Sequence, residues 1–338
     1  MMFMVFLFVF VLSIFLVDVT SRATEEERVR LWHAEGNVWP PKWQPETPEY
    51  AAHREAREKE IFNQLTFSDE RWENMLQFTQ SLLVPKFTEV GFELINTPKE
   101  VHDKLKEVVD KGVANWDNLR SEGHVDVIYK DADYKNPKFV DIGILSKYTL
   151  DALKGMHEEW VGGIELIGTS AYGVRLYQNG SSLAMHHDKV ETHVISSIVH
   201  IAHEYDDDNE PWPIQIEDHN GKLHNVNLEP GQMLFYESAK CLHGRMTTFK
   251  GKYYGSIFLH YKPVDKNVWD YNVEKVISAV PPHWRKNVKY ENLRSPRYAG
   301  AALTIDSRAT EHALKVPRSP KFIKDNVPVE YEEDEEDL

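Results

Sequence analysis

The chain of 338 residues carries one cysteine, Cys241, so no intrachain disulfide can form and a disulfide-stapled scaffold is excluded. Positive charge is also in short supply, with 39 Lys and Arg against 54 Asp and Glu. That deficit argues against a generic phosphate-backbone binder, whose affinity rests on clustered cations, and we expect no nucleic-acid partner. No internal repeat is visible. Long apolar runs are missing except at the very start. Aromatic residues, by contrast, are plentiful. Nine Trp, fifteen Tyr and fifteen Phe exclude disorder along the whole chain and are enough for a sizeable core.

The two ends differ sharply in character. Residues 1–17 are an unbroken apolar run at the short edge of what spans a bilayer. Ser21 and Ala23 match a small-residue cleavage pattern, although the usual charged n-region is absent. Residues 1–23 are therefore expected to be a signal peptide or an N-terminal anchor, with a membrane tether through residues 1–17. Either places the chain in the secretory pathway, in the endoplasmic reticulum lumen or secreted, with a membrane-anchored form as the alternative. At the other end, seven of the last nine residues are acidic, and residues 330–338 are expected to form a solvated tail. Its Glu-Glu-Asp-Leu338 ending only loosely resembles a retention signal, lacking the basic or His residue.

Between these ends, residues 24–84 read as an arm rich in Trp and Pro followed by charged helices. The stretch from Trp32 to Pro48 is too broken by proline for a helix. Thr97-Pro98-Lys99-Glu100 reads as a capping box opening a helix that buries Val101, Leu105, Val108, Val109 and Val113. A second amphipathic helix is expected near Thr149 to Trp160. From Ser170 the texture changes to short runs of β-branched and aromatic residues: Tyr172–Tyr177, Val194–Ala202, Ile214–Glu217, Met233–Tyr236 and Tyr253–Tyr261. Turn residues such as Asn179-Gly180 and Pro230-Gly231 separate them. This rhythm predicts a mainly β protein with supporting helices (α+β), its core an antiparallel sandwich or jelly roll flanked by N-terminal helices. The central domain is placed at residues 85–264, and residues 265–329 are expected to pack on it with a helix over Trp269–Val280.

Histidine marks the chemistry. Nine of the sixteen fall between His186 and His260. His186 and Asp188, two apart on an extended strand, project to one face, with His187 opposite. A third ligand from a distant strand would close a facial triad of two His and one carboxylate, suited to Fe(II) with positions left open. His243 is placed to supply it. Lys252 opens the last clear strand, and a lysine entering an apolar strand invites an anionic ligand such as a dicarboxylate.

In this ordered set the sequence resembles the Fe(II)- and 2-oxoglutarate-dependent dioxygenases, most closely the catalytic domain of prolyl 4-hydroxylase alpha subunits. Tyr177 and Gly180 lie nine and six residues before His186, Pro230-Gly231-Gln232-Met233-Leu234-Phe235 resembles the family's Pro/Gly strand, and His243-Gly244 ends the metal motif. The resemblance covers about residues 85–264 and implies a double-stranded β-helix. It implies that His186, Asp188 and His243 bind Fe(2+) and are the catalytic centre. It further implies that Lys252 holds the far carboxylate of 2-oxoglutarate and that Tyr177 lines that cosubstrate's pocket. The implied reaction uses molecular oxygen, with ascorbate as an auxiliary reductant, and hydroxylates a C–H bond as 2-oxoglutarate becomes succinate. There are departures. Leu183 stands where the family has Tyr, Pro211-Trp212-Pro213-Ile214 replaces a Gly-rich hairpin, and His200 replaces a strand Tyr. Lys252 comes one residue early, so Lys250 and Arg245 are alternative anchors.

Other features have plainer readings. His187, His193, His200, His203 and His260 are expected to be satisfied strand or surface histidines, and Cys241 a small buried hydrophobe. The acidic run Glu204–Glu210 lacks the ligand spacing of a calcium loop and reads as a hairpin tip. Asn179-Gly180-Ser181 is a glycosylation sequon inside the turn before the metal motif. Trp212 is either core or a lid over the substrate. The leading expectation is a hydroxylase of the secretory pathway acting on a peptidyl residue such as proline. A hydroxylase of a free amino acid or metabolite, and a catalytically silent jelly-roll binding module, are the alternatives. The intact His-Asp-His set argues against silence.

Overall fold

Strands buried along nearly their whole length, on both faces, make up the C-terminal half and form two antiparallel sheets. The computed structural model describes residues 24–39, 48–63, 78–122, 128–130, 134–188, 190–206, 211–269 and 281. Its strands in chain order are β1 (Phe92–Asn96), β2 (Arg120–Ser121), β3 (Ile128–Lys130), β4 (Lys138–Val140), β5 (Leu166–Tyr177), β6 (Ser181–His186), β7 (Ile195–Tyr205), β8 (Ile214–Glu217), β9 (Leu223–Val226), β10 (Gln232–Tyr236), β11 (His243–Arg245) and β12 (Gly251–Pro263). The larger sheet runs β1-β10-β7-β12-β5-β4-β2, and the smaller runs β3-β6-β11-β8-β9. Non-sequential neighbours in both sheets are the mark of the expected jelly roll, mainly β with a few helices.

The period of two along β12 shows how the layers are filled. Tyr253, Ile257, Leu259 and Tyr261 join the cluster shared with the covering helices. Tyr254, Ser256, Phe258 and His260 alternate with them and face the smaller sheet. Between the sheets, Phe92, Ile198, Leu234 and Tyr236 of the larger sheet meet Ile214, Ile216 and Val226 of the smaller. Apolar contact thus closes one end of the sandwich, while polar and aromatic residues of β5, β7 and β12 occupy the other.

Among the described residues, α1 (Glu25–Ala34), α2 (Pro48–Asn63), α3 (Lys99–Ala114) and α4 (Leu145–Trp160) support this core, with a further helical stretch over 78–83. On α3, Val101, Leu105 and Val109 recur every four residues and are buried against the larger sheet. Its other face carries Lys99–Asp103, Glu100–Lys104, Lys106–Asp110 and Glu107–Lys111 pairs, all four residues apart, which solvent screens so that they add little to stability. On α4, Leu153 and His157 are buried, and the Leu150 carbonyl accepts a hydrogen bond from Tyr261 Oη at 2.9 Å. α2 is tied to the smaller sheet by Arg57 and His53, both bonded to the buried Glu217. Burial would raise the Glu217 carboxyl, but Arg57 and His53 outweigh it and hold it below its ordinary range.

Two local expectations are corrected. No capping box forms at Thr97: Pro98 is the N-cap of α3 and makes no side-chain bond. Thr97 is instead held as an extension of β1, its N–H donating to the Gly231 carbonyl at 2.8 Å. The capping box lies at Thr24 and Glu27, where each side chain accepts from the other's N–H and starts α1. That helix includes Trp32, so the aromatic arm begins helical. Among the described residues no helix is long and apolar enough to cross a membrane. Residues 1–23, the tail 330–338 and the expected helix after Trp269 lie outside the described residues.

Leu105 is 1% exposed at the centre of the α3 contact. Leu105→Ala should lower unfolding stability by about 2–5 kcal/mol in a denaturant titration. A loss well under 1 kcal/mol would show that α3 does not carry the core as described.

Candidate metal centre

The site starts from one cross-strand pair. His186 ends β6, His243 begins β11, and the two are direct partners in the antiparallel register. Partners opposite each other point to the same face, so the two imidazoles meet with ring centroids 4.4 Å apart. Gly244 lets the strands come this close, because a Cβ there would sit 2.7 Å from the Ala184 carbonyl oxygen. Asp188 follows after the strand has ended rather than lying on it. Its N–H donates to the Ser238 carbonyl at 2.8 Å, and its own carbonyl accepts from Gln80 Nε2 at 3.2 Å. These main-chain bonds bring the carboxylate to the face of the two rings.

Hydrogen placement follows from the partners. His186 Nδ1 donates to the Ala184 carbonyl and His243 Nδ1 to the Cys241 carbonyl, each at 2.8 Å. A carbonyl only accepts, so both neutral rings turn a bare Nε2 inward. Asp188 Oδ1 lies 3.5 Å from His186 Nε2 and 3.8 Å from His243 Nε2. The three ligand atoms lie within 4.8 Å of one another and form a metal-binding group, one face of lone pairs with no hydrogen among them. A divalent cation, or a proton on one Nε2, has to stand between these acceptors. Burial, followed by the neighbouring His186, pushes His243 down to about 4 against the pull of Asp188, which keeps it in the ligand form. Burial would raise the Asp188 carboxyl, but the contact with His186 and the fields of His243 and His193 outweigh it and hold it ionised. His186, Asp188 and His243 are thus brought together as the sequence led us to expect, and the residues fit a metal.

Lys252 is not brought to this site. It is exposed, with Nζ 3.1 Å from Glu204 Oε2, and Lys250 is exposed as well. The cause is a bulge. The register of β12 on β7 shifts between Gly251 and Tyr253, which turns Lys252 away from the inward row that begins at Tyr254. The cation that does face inward is Arg245, two residues after His243 on β11 and 4% exposed. Its guanidinium packs against both the ring of Trp212, at 4.5 Å, and the ring of Tyr254, at 4.6 Å, which themselves meet edge to face at 5.2 Å. Nη1 donates to the Trp212 carbonyl and Nη2 to Tyr254 Oη. No carboxylate of the described residues pairs with Arg245. Arg175 nearby contrasts with it, being neutralised by Glu122 through Nε and Nη2. An unpaired buried cation costs several kcal/mol, a cost that an anion from outside would offset.

Tyr177 is buried beside this pocket, edge-on to Trp212 at 5.2 Å, its hydroxyl accepting from Arg175 Nη1 at 3.3 Å. Trp212 is core, with its indole N–H donating to the Thr247 carbonyl at 2.6 Å. Cys241 is buried as expected, and its thiol is pushed well up by burial and then by Glu237. His200 and His203 form a pair, Nε2 to Nδ1 at 2.8 Å, with His200 stacked on Tyr254 at 4.0 Å. Sequence reasoning missed the residues that hold Asp188, namely Gln80 and Ser238. They come from distant segments and share no spacing with the metal motif.

His243→Ala should abolish Co(II) or Zn(II) binding measured by calorimetry, while Cys241→Ala should leave affinity within about 3-fold, because His243 is oriented by the Cys241 main chain and not by its thiol. Equal loss in both variants would contradict the assigned orientation of His243.

No protein-family model matches the chain, and no curated protein sequence is significantly similar to it. Among solved structures, a Pseudomonas putida prolyl-4-hydroxylase is 12% identical with a TM-score of 0.38, the match covering 56% of this chain and 100% of that one. A prolyl hydroxylase from Trichoplax adhaerens, in complex with a hypoxia inducible factor peptide fragment, is 15% identical with a TM-score of 0.40, over 58% of this chain and 90% of its own. HygX from Streptomyces hygroscopicus, with nickel, 2-oxoglutarate and hygromycin B bound, is 10% identical with a TM-score of 0.37, over 52% and 84%. At these scores the likenesses decide nothing about the chemistry, which rests on the residues of the site itself.

Proposed function

We propose that the protein is an Fe(II)/2-oxoglutarate-dependent hydroxylase, with His186, Asp188 and His243 as the iron ligands and Arg245 as the anchor for the far carboxylate of 2-oxoglutarate. The observation that carries this is the pairing of a three-acceptor metal face with an unpaired buried guanidinium two residues along the same strand. A dicarboxylate that chelates a metal at one end needs such a cation at the other. With iron bound, 2-oxoglutarate and oxygen supply the oxidising power that places a hydroxyl on a substrate C–H while succinate and carbon dioxide leave.

The chain's own groups do the rest. The Nε2 atoms of His186 and His243 and Oδ1 of Asp188 offer lone pairs on one face only, leaving the opposite face open for cosubstrate and oxygen. Trp212 and Tyr254, in edge-to-face contact, pack against the Arg245 guanidinium, keep water from that side and strengthen its hold on a carboxylate. Tyr177 closes the wall of that pocket. The ordered motif from Tyr177 through Gly180, His186, Asp188, Pro230 and Gly231 to His243 supports a peptidyl residue such as proline as the substrate. Secretory targeting rests on residues 1–17 and the Ser21/Ala23 pattern.

Succinate release from 2-oxoglutarate with Fe(II), oxygen and ascorbate, across proline-rich peptides and free amino acids, tests the activity and separates the two substrate classes. Arg245→Met should raise the KM for 2-oxoglutarate about 10- to 100-fold, and Lys252→Ala should leave it unchanged. The reverse pattern would return the anchor to Lys252, and no succinate with any substrate would sink the enzymatic reading. For targeting, N-terminal sequencing after expression in eukaryotic cells should find a start at Thr24, or an intact chain in the membrane fraction. An intact chain in the cytosol would contradict it.

A further inference from the structure

Asp188 lies beyond the end of β6, so no strand ladder holds it, yet its carboxylate is presented edge-on. Oδ1 faces both ligand nitrogens, whereas Oδ2 is shut off from solvent without a hydrogen-bond partner. Two side chains from other strands converge behind it. His260 Nδ1 is 3.9 Å from Oδ2 and 2.8 Å from Ser196 Oγ. Ser196 Oγ is in turn 2.6 Å from Ser238 Oγ, which lies 2.7 Å from the His193 carbonyl.

Tyr236 also hydrogen-bonds Ser196, and with every bond of the chain made the count leaves one arrangement, in which the Tyr236 hydroxyl donates to Ser196. The His193 carbonyl can only accept, so Ser238 donates its hydroxyl hydrogen there. Ser196 must then donate to Ser238. Ser196 has no second hydrogen, so His260 donates through Nδ1 to Ser196. The positive end of an N–H bond is therefore fixed beside Oδ2, close enough to stabilise its charge but held by Ser196 out of bonding range. Ser238 also fastens both ends of the loop that carries Asp188. Its carbonyl accepts from Asp188 N–H, and its hydroxyl holds His193. Ring contact between His193 and His260, at 3.7 Å between centroids, packs the same unit.

We infer that His260, Ser196 and Ser238 form a positioning chain that presents Asp188 to the metal through Oδ1 alone and keeps Oδ2 turned away. The inference rests on the metal site proposed above and concerns residues that touch none of the three ligand atoms' open face. One-oxygen coordination matters because a second oxygen on the metal would take a position that the cosubstrate or oxygen needs.

The test is a Co(II) titration of the full chain without 2-oxoglutarate, followed by calorimetry and by the visible absorption of the bound ion. His260→Leu should weaken Co(II) binding by about 10-fold or more and alter the absorption, whereas His260→Asn, which keeps a donor near the Nδ1 position, should match wild type in both. Ser196→Ala breaks the chain at another link and should behave like His260→Leu, which covers the case in which the leucine variant does not fold. Wild-type affinity and spectrum in both His260→Leu and Ser196→Ala would overturn the inference, as would an asparagine variant no better than leucine. Failure of wild type itself to bind Co(II) would instead remove the metal site and the inference with it.

Discussion

A slip of one residue between β6 and β11 would turn His186 and His243 to opposite faces and leave no site at all. That register is the constraint on which the rest depends. It is enforced locally by Gly244, whose missing Cβ allows β11 to lie against the Ala184 carbonyl. More widely it is enforced by the flanking pairs of β8 with β11 and β3 with β6, which fix the smaller sheet on either side. The apolar contacts between the sheets then set the depth at which the two rings sit. Orientation of the rings comes from main-chain carbonyls two residues back in each case, so it survives substitution of the side chains that supply them.

Charge balance explains why the interior is polar at this end. The metal face offers one carboxylate and two imidazoles without a cation among them, and the Arg245 pocket offers a cation without an anion. Each half is costly to bury alone. A metal chelated by a dicarboxylate would satisfy both at once. Arg175, similar in type and only two residues from Tyr177, is already paired with Glu122 and makes no such demand.

Much of this was legible in the residues. The strands around Tyr177, Ile198, Ile216, Leu234 and Ile257 stood out because β-branched and aromatic runs between turn residues leave few other options. The His-x-Asp and distant His were legible as chemistry, because lone-pair ligands crowded into a strand-rich segment have little other reason to converge. β6 and β11 were harder to see, being short and containing Ser, Gly and His in place of apolar alternation. Lys252 would fall in the inward row if β12 were regular, and a bulge of one residue is invisible to a period-two argument. Thr97 satisfied the pattern of a cap, yet the Gly231 carbonyl claimed its N–H first. Gln80, Ser196, Ser238 and His260 act through contacts between distant segments, which no local spacing encodes.

The central claim is that one face of three ligands and one guanidinium hold a metal and a chelating dicarboxylate together. An anaerobic crystal structure with Fe(II) and 2-oxoglutarate tests it most directly. The account predicts a metal ion bound by His186 Nε2, His243 Nε2 and Asp188 Oδ1, with the far carboxylate of 2-oxoglutarate against the Arg245 guanidinium, next to Trp212 and Tyr254. A vacant metal site at saturating iron, or a 2-oxoglutarate carboxylate held by Lys252 with Arg245 untouched, would contradict it.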